Sequence, residues 1–264
     1  MLIKKENKMM YQYVTAFISG ILSGGALGLT GGGGSILAVP LLVYLVGENI
    51  HLAIITSLLA VGATSLIASG SYMRKNLVRF KIAFIMAAPA LISTFLGSLA
   101  NKHLNGPILL ILFSLLMMYI GYMMLKGKKS QELQEEDKVI NYKLVIGLGF
   151  ITGLASGFFG VGGGFLLVPA LYMGANLKMQ EAVATSLFII FLFGLFGLGS
   201  YLIQGREVSY GISAIFTLGG ALGGLIGSGV AEKLNQNKLR LIFAIFTIVM
   251  GIVILIENGI KLFS

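Results

Sequence analysis

The sequence predicts an all-α integral membrane protein with about eight transmembrane helices, formed by two homologous four-segment repeats with Gly-rich broken helices. Composition is the first reason. Of the 264 residues, 56% are hydrophobic and 11% are charged, and the mean hydropathy is +0.93. These charges are too few to cover a soluble globule of this size with a polar surface.

Long uncharged runs are the second reason, because a helix that spans a bilayer needs about 20 mostly apolar residues. The chain contains eight such runs, at 9–47, 49–73, 82–101, 103–125, 144–177, 182–205, 208–231 and 241–256. Most Lys and Arg residues stand at the ends of these runs, so the net charge of +9 indicates membrane orientation and not binding of nucleic acid.

Internal repetition is the third reason. Shifting the chain by 129 residues aligns glycines, a proline and a Thr-Ser pair of the first half with the same residue types in the second. The matches include Gly20, Gly24, Gly28, Gly34, Pro40, Thr56 and Ser57 with Gly149, Gly153, Gly157, Gly163, Pro169, Thr185 and Ser186. This pattern predicts a first transmembrane repeat at 1–125, a polar linker at 126–143 and a second repeat at 144–264.

Each half opens with a stretch that is too long for one simple span. The interruption falls at 30–35 (TGGGGS) and at 159–164 (FGVGGG), where clustered glycines lower helix propensity and permit positive φ angles. Two topologies follow. Either each stretch crosses once, or each is a re-entrant hairpin and the halves are inverted. Basic residues do not separate the two, because the positive-inside rule satisfies both almost equally.

The regular glycine ladders, such as Gly20, Gly24 and Gly28, are typical of close helix packing. The consecutive glycines are different, because non-helical backbone at membrane depth survives only inside the protein or beside a wet cavity. We expect both breaks to meet near the membrane centre and to bind substrate, with Gly33 and Gly163 at positive φ. The predicted binding residues there are Gly31, Gly32, Gly33, Gly34, Ser35, Gly160, Gly162, Gly163 and Gly164.

Two repeated hydroxyl pairs follow the breaks. Thr56, Ser57, Thr185 and Ser186 could hydrogen-bond an anion beside the glycine amides, or bond back to a carbonyl one turn earlier in their own helix. Tyr72 and Tyr201 close the same helices and are interpreted as aromatic anchors at the membrane interface.

No Asp, Glu, Lys or Arg lies deep within any run, so an intramembrane charge pair is not predicted. Glu48, Glu181 and His51 stand at helix ends, and each is interpreted as a cap or interfacial residue, with a gate or proton carrier as the alternative. Glu181 and His51 are also the candidates for a gate or coupling role, and neutralising these two should leave anion binding largely intact. The chain has no Cys and two separated His residues, so no metal, cofactor or catalytic residue is expected.

The doubled motif, GALGLTGGGGSILAVPLL and ASGFFGVGGGFLLVPAL, each followed by A-x-x-T-S-L, resembles the TauE/SafE sulfite exporter family. The resemblance implies transport of small anions such as sulfite or organosulfonates across the bacterial cytoplasmic membrane. Partners would then be the small anion and the lipid bilayer, with a homo-oligomer left open. The first motif carries Gly32 and Ser35 where the second has Val161 and Gly164, so the half-sites need not contact a ligand alike. An intramembrane enzyme and a membrane scaffold are the alternative classes.

Overall fold

Every regular element in the described part of the chain is a helix, as the sequence predicts. The computed structural model describes residues 2–101, 106–126, 141–159, 163–231 and 233–263. In chain order the helices are α1 (Leu2–Thr30), α2 (Gly33–Leu41), α3 (Ile50–Arg74), α4 (Phe80–Asn101), α5 (Gly106–Lys126), α6 (Tyr142–Phe159), α7 (Gly164–Pro169), α8 (Met179–Ile203), α9 (Tyr210–Ala231) and α10 (Gln236–Phe263). Seven of the described helices are long and apolar enough to cross a membrane, and α10 contributes a shorter apolar stretch, Ala244–Ile260.

The two predicted repeats interleave into one bundle. Helix α1 packs on α9, α4 on α6, α3 on α8 and α5 on α10, so each of these contacts joins the first half of the chain to the second. The glycine ladders make two of these contacts close. A Cβ on Gly24 would overlap the carbonyl oxygen of Gly220, and one on Gly153 would overlap that of Ala90. The packing role predicted for the ladders is therefore confirmed.

Each long opening stretch folds back on itself. In the first, the Ser23 hydroxyl donates to the Gly34 carbonyl at 2.7 Å, and the Gln12 side-chain amide donates to the Val46 carbonyl at 3.3 Å. These contacts, at the two ends of the returning segment, place it antiparallel to α1. In the second, Gly174 lies against Leu148 of α6. The helices therefore follow the hairpin path and not the single-crossing path.

In both hairpins the returning helix changes from an α-helix to a π-helical turn close to a proline. Leu42–Val46 forms a π-helical turn after α2, which contains Pro40, and Ala170–Gly174 forms another after Pro169. Proline has no N–H to donate one turn back, so it breaks the regular ladder and a wider turn follows. The same irregularity thus shapes both returning segments.

Helices α3 and α8 run antiparallel. Gly62 of α3 touches Gly194 of α8, while Leu58, one turn earlier, touches Gly197. Helices α5 and α10 are also antiparallel, because Gly121 lies against Ala244 and Gly251 lies against Ser114. Antiparallel pairing of corresponding helices is what two inverted halves would produce. The repeat itself stays a prediction from the sequence.

The distribution of polarity fits a bilayer. Large apolar side chains cover the outside, including Ile203 at 82% exposed and Ile92 at 67%. Small hydroxyl side chains lie inside, including Thr64, Ser65 and Ser93. A soluble protein shows the reverse preference, because its exposed surface must be solvated by water. The chain is a multi-pass membrane protein.

Candidate functional site

The two glycine breaks meet in the interior of the bundle. A Cβ built on Gly164 at the start of α7 would lie 2.9 Å from the Ser35 hydroxyl and 3.1 Å from the Gly32 Cα. Both Gly164 and Ser35 are buried. The tips of the two hairpins are thus in direct contact, and a Cβ at Gly164 would require the Ile190 and Ser35 side chains to shift.

Gly31 carries the left-handed conformation of the first break. Its φ is +72°, whereas Gly33 begins α2 and is absent from the positive-φ residues, so the expectation for Gly33 was wrong. The reason lies in the helix boundary. Gly31 ends α1 by reversing the backbone, and the hydroxyl of Thr30, the last residue of α1, accepts from the Gly33 amide at the start of α2 at 2.7 Å.

The second break is described from Gly163 onward. Gly163 has φ +64°, as predicted, and its carbonyl accepts from the amides of Leu166 and Leu167 at 3.0 Å each. A side chain here would be strained, and its Cβ would lie 3.0 Å from the Phe193 ring. The predicted binding residues Gly160 and Gly162 lie outside the described residues.

Several polar groups of the first break are already paired. The Gly31 amide donates to the Leu27 carbonyl at 2.7 Å, and the Ser35 amide donates to the Gly32 carbonyl at 3.2 Å. The Ser35 hydroxyl donates to the same Gly32 carbonyl at 2.6 Å. An incoming ligand would therefore need the amides of Gly32 and Gly34, or a rearrangement of the loop.

The hydroxyl pairs after the breaks differ in their contacts. Ser186 donates to the Gly31 carbonyl at 2.7 Å and to Val183 at 2.8 Å, so α8 is fastened to the first break. Thr185 accepts from the Arg79 amide at 3.0 Å.

In the first half, Ser57 donates to the Ile54 carbonyl of its own helix at 2.8 Å. The Thr56 hydroxyl is buried without a hydrogen-bond partner among the described residues. The structure thus brings Ser186 to a glycine break, and it places the Thr56 hydroxyl beside Glu48 instead.

The two candidate coupling residues lie in the first turns of two helices, His51 in α3 and Glu181 in α8. Because α3 and α8 are antiparallel, the two residues are at opposite ends of the bundle. Glu181 forms an ion pair with Arg79 and accepts from the Lys178 amide at 3.3 Å, so it caps α8 as interpreted. His51 lines an open cavity of about 300 Å³ together with Leu52, Ile55, Arg206 and Glu207. A gate or coupling role for either residue stays a prediction.

The two tyrosines are not interfacial anchors. Tyr72 is 1% exposed and donates to the Gly28 carbonyl at 3.1 Å, and Tyr201 is fully buried and donates to Gly157 at 2.8 Å. Each tyrosine thus satisfies a carbonyl near the end of the helix that precedes a glycine break. The sequence carried a signal for this, because 129 residues separate both the tyrosines and the glycines they contact.

A second set of polar side-chain contacts was not predicted from the sequence. Arg206 donates to the Asn101 side chain at 3.2 Å, and Asn101 donates to the Phe158 carbonyl at 2.8 Å. Gln204 donates to the Ser98 hydroxyl at 2.9 Å. These bonds join the α8–α9 connection, the end of α4 and the tip of the second hairpin. Long-range side-chain pairs of this kind leave no periodic pattern in a sequence.

Comparison with known proteins agrees with the architecture. The family profile described as "Sulfite exporter TauE/SafE" matches residues 16–254. A "Probable membrane transporter protein" of Xylella fastidiosa is 38% identical over 244 residues, covering 90% of this chain and 92% of the relative.

More distant relatives bear similar names. They include "Probable membrane transporter protein YunE" of Bacillus subtilis, 28% identical with 93% of this chain and 98% of the relative covered. "Probable membrane transporter protein MJ0441" of Methanocaldococcus jannaschii is 28% identical, with 97% and 100% covered. No solved structure matches the chain. Since the profile spans nearly the whole helical bundle, the chain belongs to the sulfite exporter TauE/SafE family of membrane transporters.

Proposed function

We propose that this protein is a secondary transporter that moves small anions, such as sulfite and organosulfonates, across the cytoplasmic membrane without chemically changing them. The observation that carries the proposal is the contact of the two hairpin tips, where Gly164 lies against Gly32 and Ser35. Irregular backbone from two separate hairpins converges there inside an apolar bundle. Such broken helices are a recurring basis for substrate sites in transporters.

The chemistry of the tips favours an anion. The described residues at the contact supply backbone amides and hydroxyls, which donate hydrogen bonds, and no carboxylate that would repel a negative charge. The amides of Gly32 and Gly34 are the donors at the first tip that need none of the bonds described above to break. An anion the size of sulfite or a sulfonate head group presents several acceptor oxygens to such donors.

Movement between the two sides would require the tips to separate from their packing partners. Ser186 fastens the first break to α8, and Asn101 of α4, which also accepts from Arg206, donates to the Phe158 carbonyl and fastens the tip of the second hairpin to α4. These bonds are few and local, so small rearrangements would open one side at a time. We infer an alternating-access cycle in which each hairpin in turn exposes the shared contact region.

Purified protein tests this proposal. Thermal unfolding is followed with sulfite, sulfoacetate, taurine, lactate and phosphate, and the anions that raise the midpoint are then followed for flux in proteoliposomes. We expect sulfite or a sulfonate to stabilise the parent and to move across the bilayer, and Gly164→Leu to lose both effects. Chemical change of the anion during flux, or flux of a cation alone, would reject the proposal.

A further inference from the structure

Glu48 is a buried acid at one end of the bundle. It lies in residues 47–49, which connect the first π-helical turn to α3, and its exposed fraction is 8%. Gly47 has φ +79°, and the Glu48 amide donates to the Leu42 carbonyl at 2.9 Å. The backbone therefore turns Glu48 inward. Neither carboxylate oxygen has a hydrogen-bond partner among the described residues.

The neighbours of this carboxyl are hydroxyls. Thr56 from α3 and Ser209 from the residues before α9 lie beside it. The Thr56 hydroxyl is itself buried and unpaired in the described part of the chain, as is the hydroxyl of Ser213, one turn beyond Ser209. Burial raises the pKa of Glu48 above its ordinary value, and Thr56 and Ser209 oppose that rise only in part.

The charged groups at this end do not neutralise Glu48. Arg206 donates to Asn101 and stacks 4.6 Å from the centre of the Tyr201 ring. His51, Arg206 and Glu207 line the 300 Å³ cavity, and none of them forms an ion pair with Glu48 in the described structure. The other titratable groups described on the neighbouring elements are tyrosines: Tyr13 of α1 lies against Gly211 at the start of α9, and Tyr44 of the π-helical turn accepts from Asn258.

The related position in the second half carries no acid. Leu177, 129 residues after Glu48, is 6% exposed and packs in the core. The opposite end has instead the Arg79–Glu181 pair, in which the Arg79 side chain is 53% exposed. The bundle thus has a buried acid without an ion pair in the described structure at one end and an ion pair with a half-exposed arginine at the other. Such an asymmetry distinguishes the two sides of the membrane chemically.

We propose that Glu48 is a proton-binding site of this transporter, occupied while residues 47–49 are packed against α3 and α9 and emptied when this end opens to water. The proposal rests on the proposed anion transport. A neutral carboxylic acid fits this buried, hydroxyl-lined position, where Glu48 forms no ion pair in the described structure, whereas a carboxylate needs water or a cation and so favours separation of the segment. Proton release and opening are thereby linked, and a pH gradient would drive the anion cycle.

The first test needs no substrate. Infrared difference spectra of the purified parent, Glu48→Gln and Glu207→Gln are recorded on a change from acidic to alkaline pH. Glu207 is exposed at the same end and supplies the matched control. We expect the parent and Glu207→Gln to show a carboxylic-acid carbonyl band that persists to higher pH than the bands of exposed carboxyl groups and that is lost in Glu48→Gln. An unchanged band in Glu48→Gln would overturn the proposal.

Thermal unfolding supplies a second readout. A raised folded-state pKa means that stability is fully present below the unfolded-state pKa and falls as pH rises through the folded-state pKa. The unfolding midpoint of the parent should fall as pH rises between the unfolded-state and folded-state pKa of Glu48. Glu48→Gln mimics the neutral acid, and Glu48→Leu introduces the residue type found at the related position of the second half. Both variants should show a midpoint that depends less on pH. Equal pH profiles for parent and Glu48→Gln would contradict proton binding at this residue.

Flux then tests coupling, with sulfite as the probe. In proteoliposomes we expect a pH gradient to change sulfite flux several-fold for the parent and Glu207→Gln, and to have no effect for Glu48→Gln, which still exchanges sulfite. If Glu48→Gln responds to the pH gradient like the parent, the coupling role of Glu48 is rejected, whereas the proposed anion transport is not. If the parent neither binds nor moves any of the five anions, the proposed function fails, and the infrared band still decides whether Glu48 holds a proton.

Discussion

The Ser35 hydroxyl of one hairpin lies against Gly164 of the other, so close that a Cβ on Gly164 would be 2.9 Å from the Ser35 oxygen. This contact joins two segments that are far apart in the chain but carry the same glycine-proline pattern. It makes the tip of each hairpin part of the environment of the other. A change at one tip is therefore expected to alter both.

Gly164→Leu should abolish anion binding and transport while the protein remains in the membrane. Its side chain would push Ser35 and Ile190 away and separate the tips. Three measurements test this prediction: anion binding by thermal shift, anion flux in proteoliposomes, and the amount of protein found in the membrane. Gly147→Leu on α6 is the control, because no heavy atom lies within 4 Å of a Cβ there. Parental flux in Gly164→Leu would show that the tip contact is only packing.

Gly163→Leu should lower both stability and transport. The left-handed conformation costs a residue with a Cβ about 1–2 kcal/mol, and the new side chain also meets Phe193. The midpoint of thermal unfolding is expected to fall by several degrees. Gly199→Leu, where α8 is regular and a Cβ meets no atom within 4 Å, should remain close to the parent. Equal losses in the two variants would contradict the assignment.

Ser186→Ala should loosen the first break. The Gly31 carbonyl would lose a buried donor, which costs about 1–3 kcal/mol, and α8 would no longer be fastened to the hairpin. We expect a lower unfolding midpoint together with altered sulfite flux. Ser200→Ala removes a hydroxyl that bonds only to Phe196 of its own helix in the described structure and should have a smaller effect.

Tyr201→Phe and Tyr72→Phe should each destabilise the protein by about 1 kcal/mol, since each leaves a helix-end carbonyl without its hydroxyl donor. Tyr210→Phe is the control, because Tyr210 is 68% exposed. Thermal unfolding in detergent measures all three. Midpoints for Tyr72→Phe and Tyr201→Phe no lower than that for Tyr210→Phe would contradict a stabilising role for the two buried hydroxyl bonds.

Glu181→Gln and His51→Gln should leave anion binding within about twofold of the parent. Arg79 is half exposed, so its pair with Glu181 contributes at most about 1 kcal/mol. The variant keeps an amide that can still cap α8. Binding is measured by thermal shift with sulfite, and flux is compared with and without a pH gradient. A loss of sulfite binding in Glu181→Gln would place that residue in the binding site.

The class of the protein and the position of its breaks were determined by the sequence alone. Low charge and long apolar runs leave a membrane bundle as the stable arrangement, and the run of four glycines at 31–34 has a low helix propensity, so α1 ends immediately before it. The packing role of Gly24 and Gly153 could be predicted for the same local reason, since small residues at regular spacing allow helices to approach.

Tertiary structure decided the path of the hairpins and the partners of the polar groups. Whether the first stretch crosses or returns depends on contacts such as Ser23 with Gly34, which span the break. Tyr72 is buried rather than interfacial because α3 passes beside the Gly28 carbonyl, and Glu48 faces inward because Gly47 turns the backbone. Such contacts depend on how separate helices are placed, and periodicity along one segment carries no record of that placement.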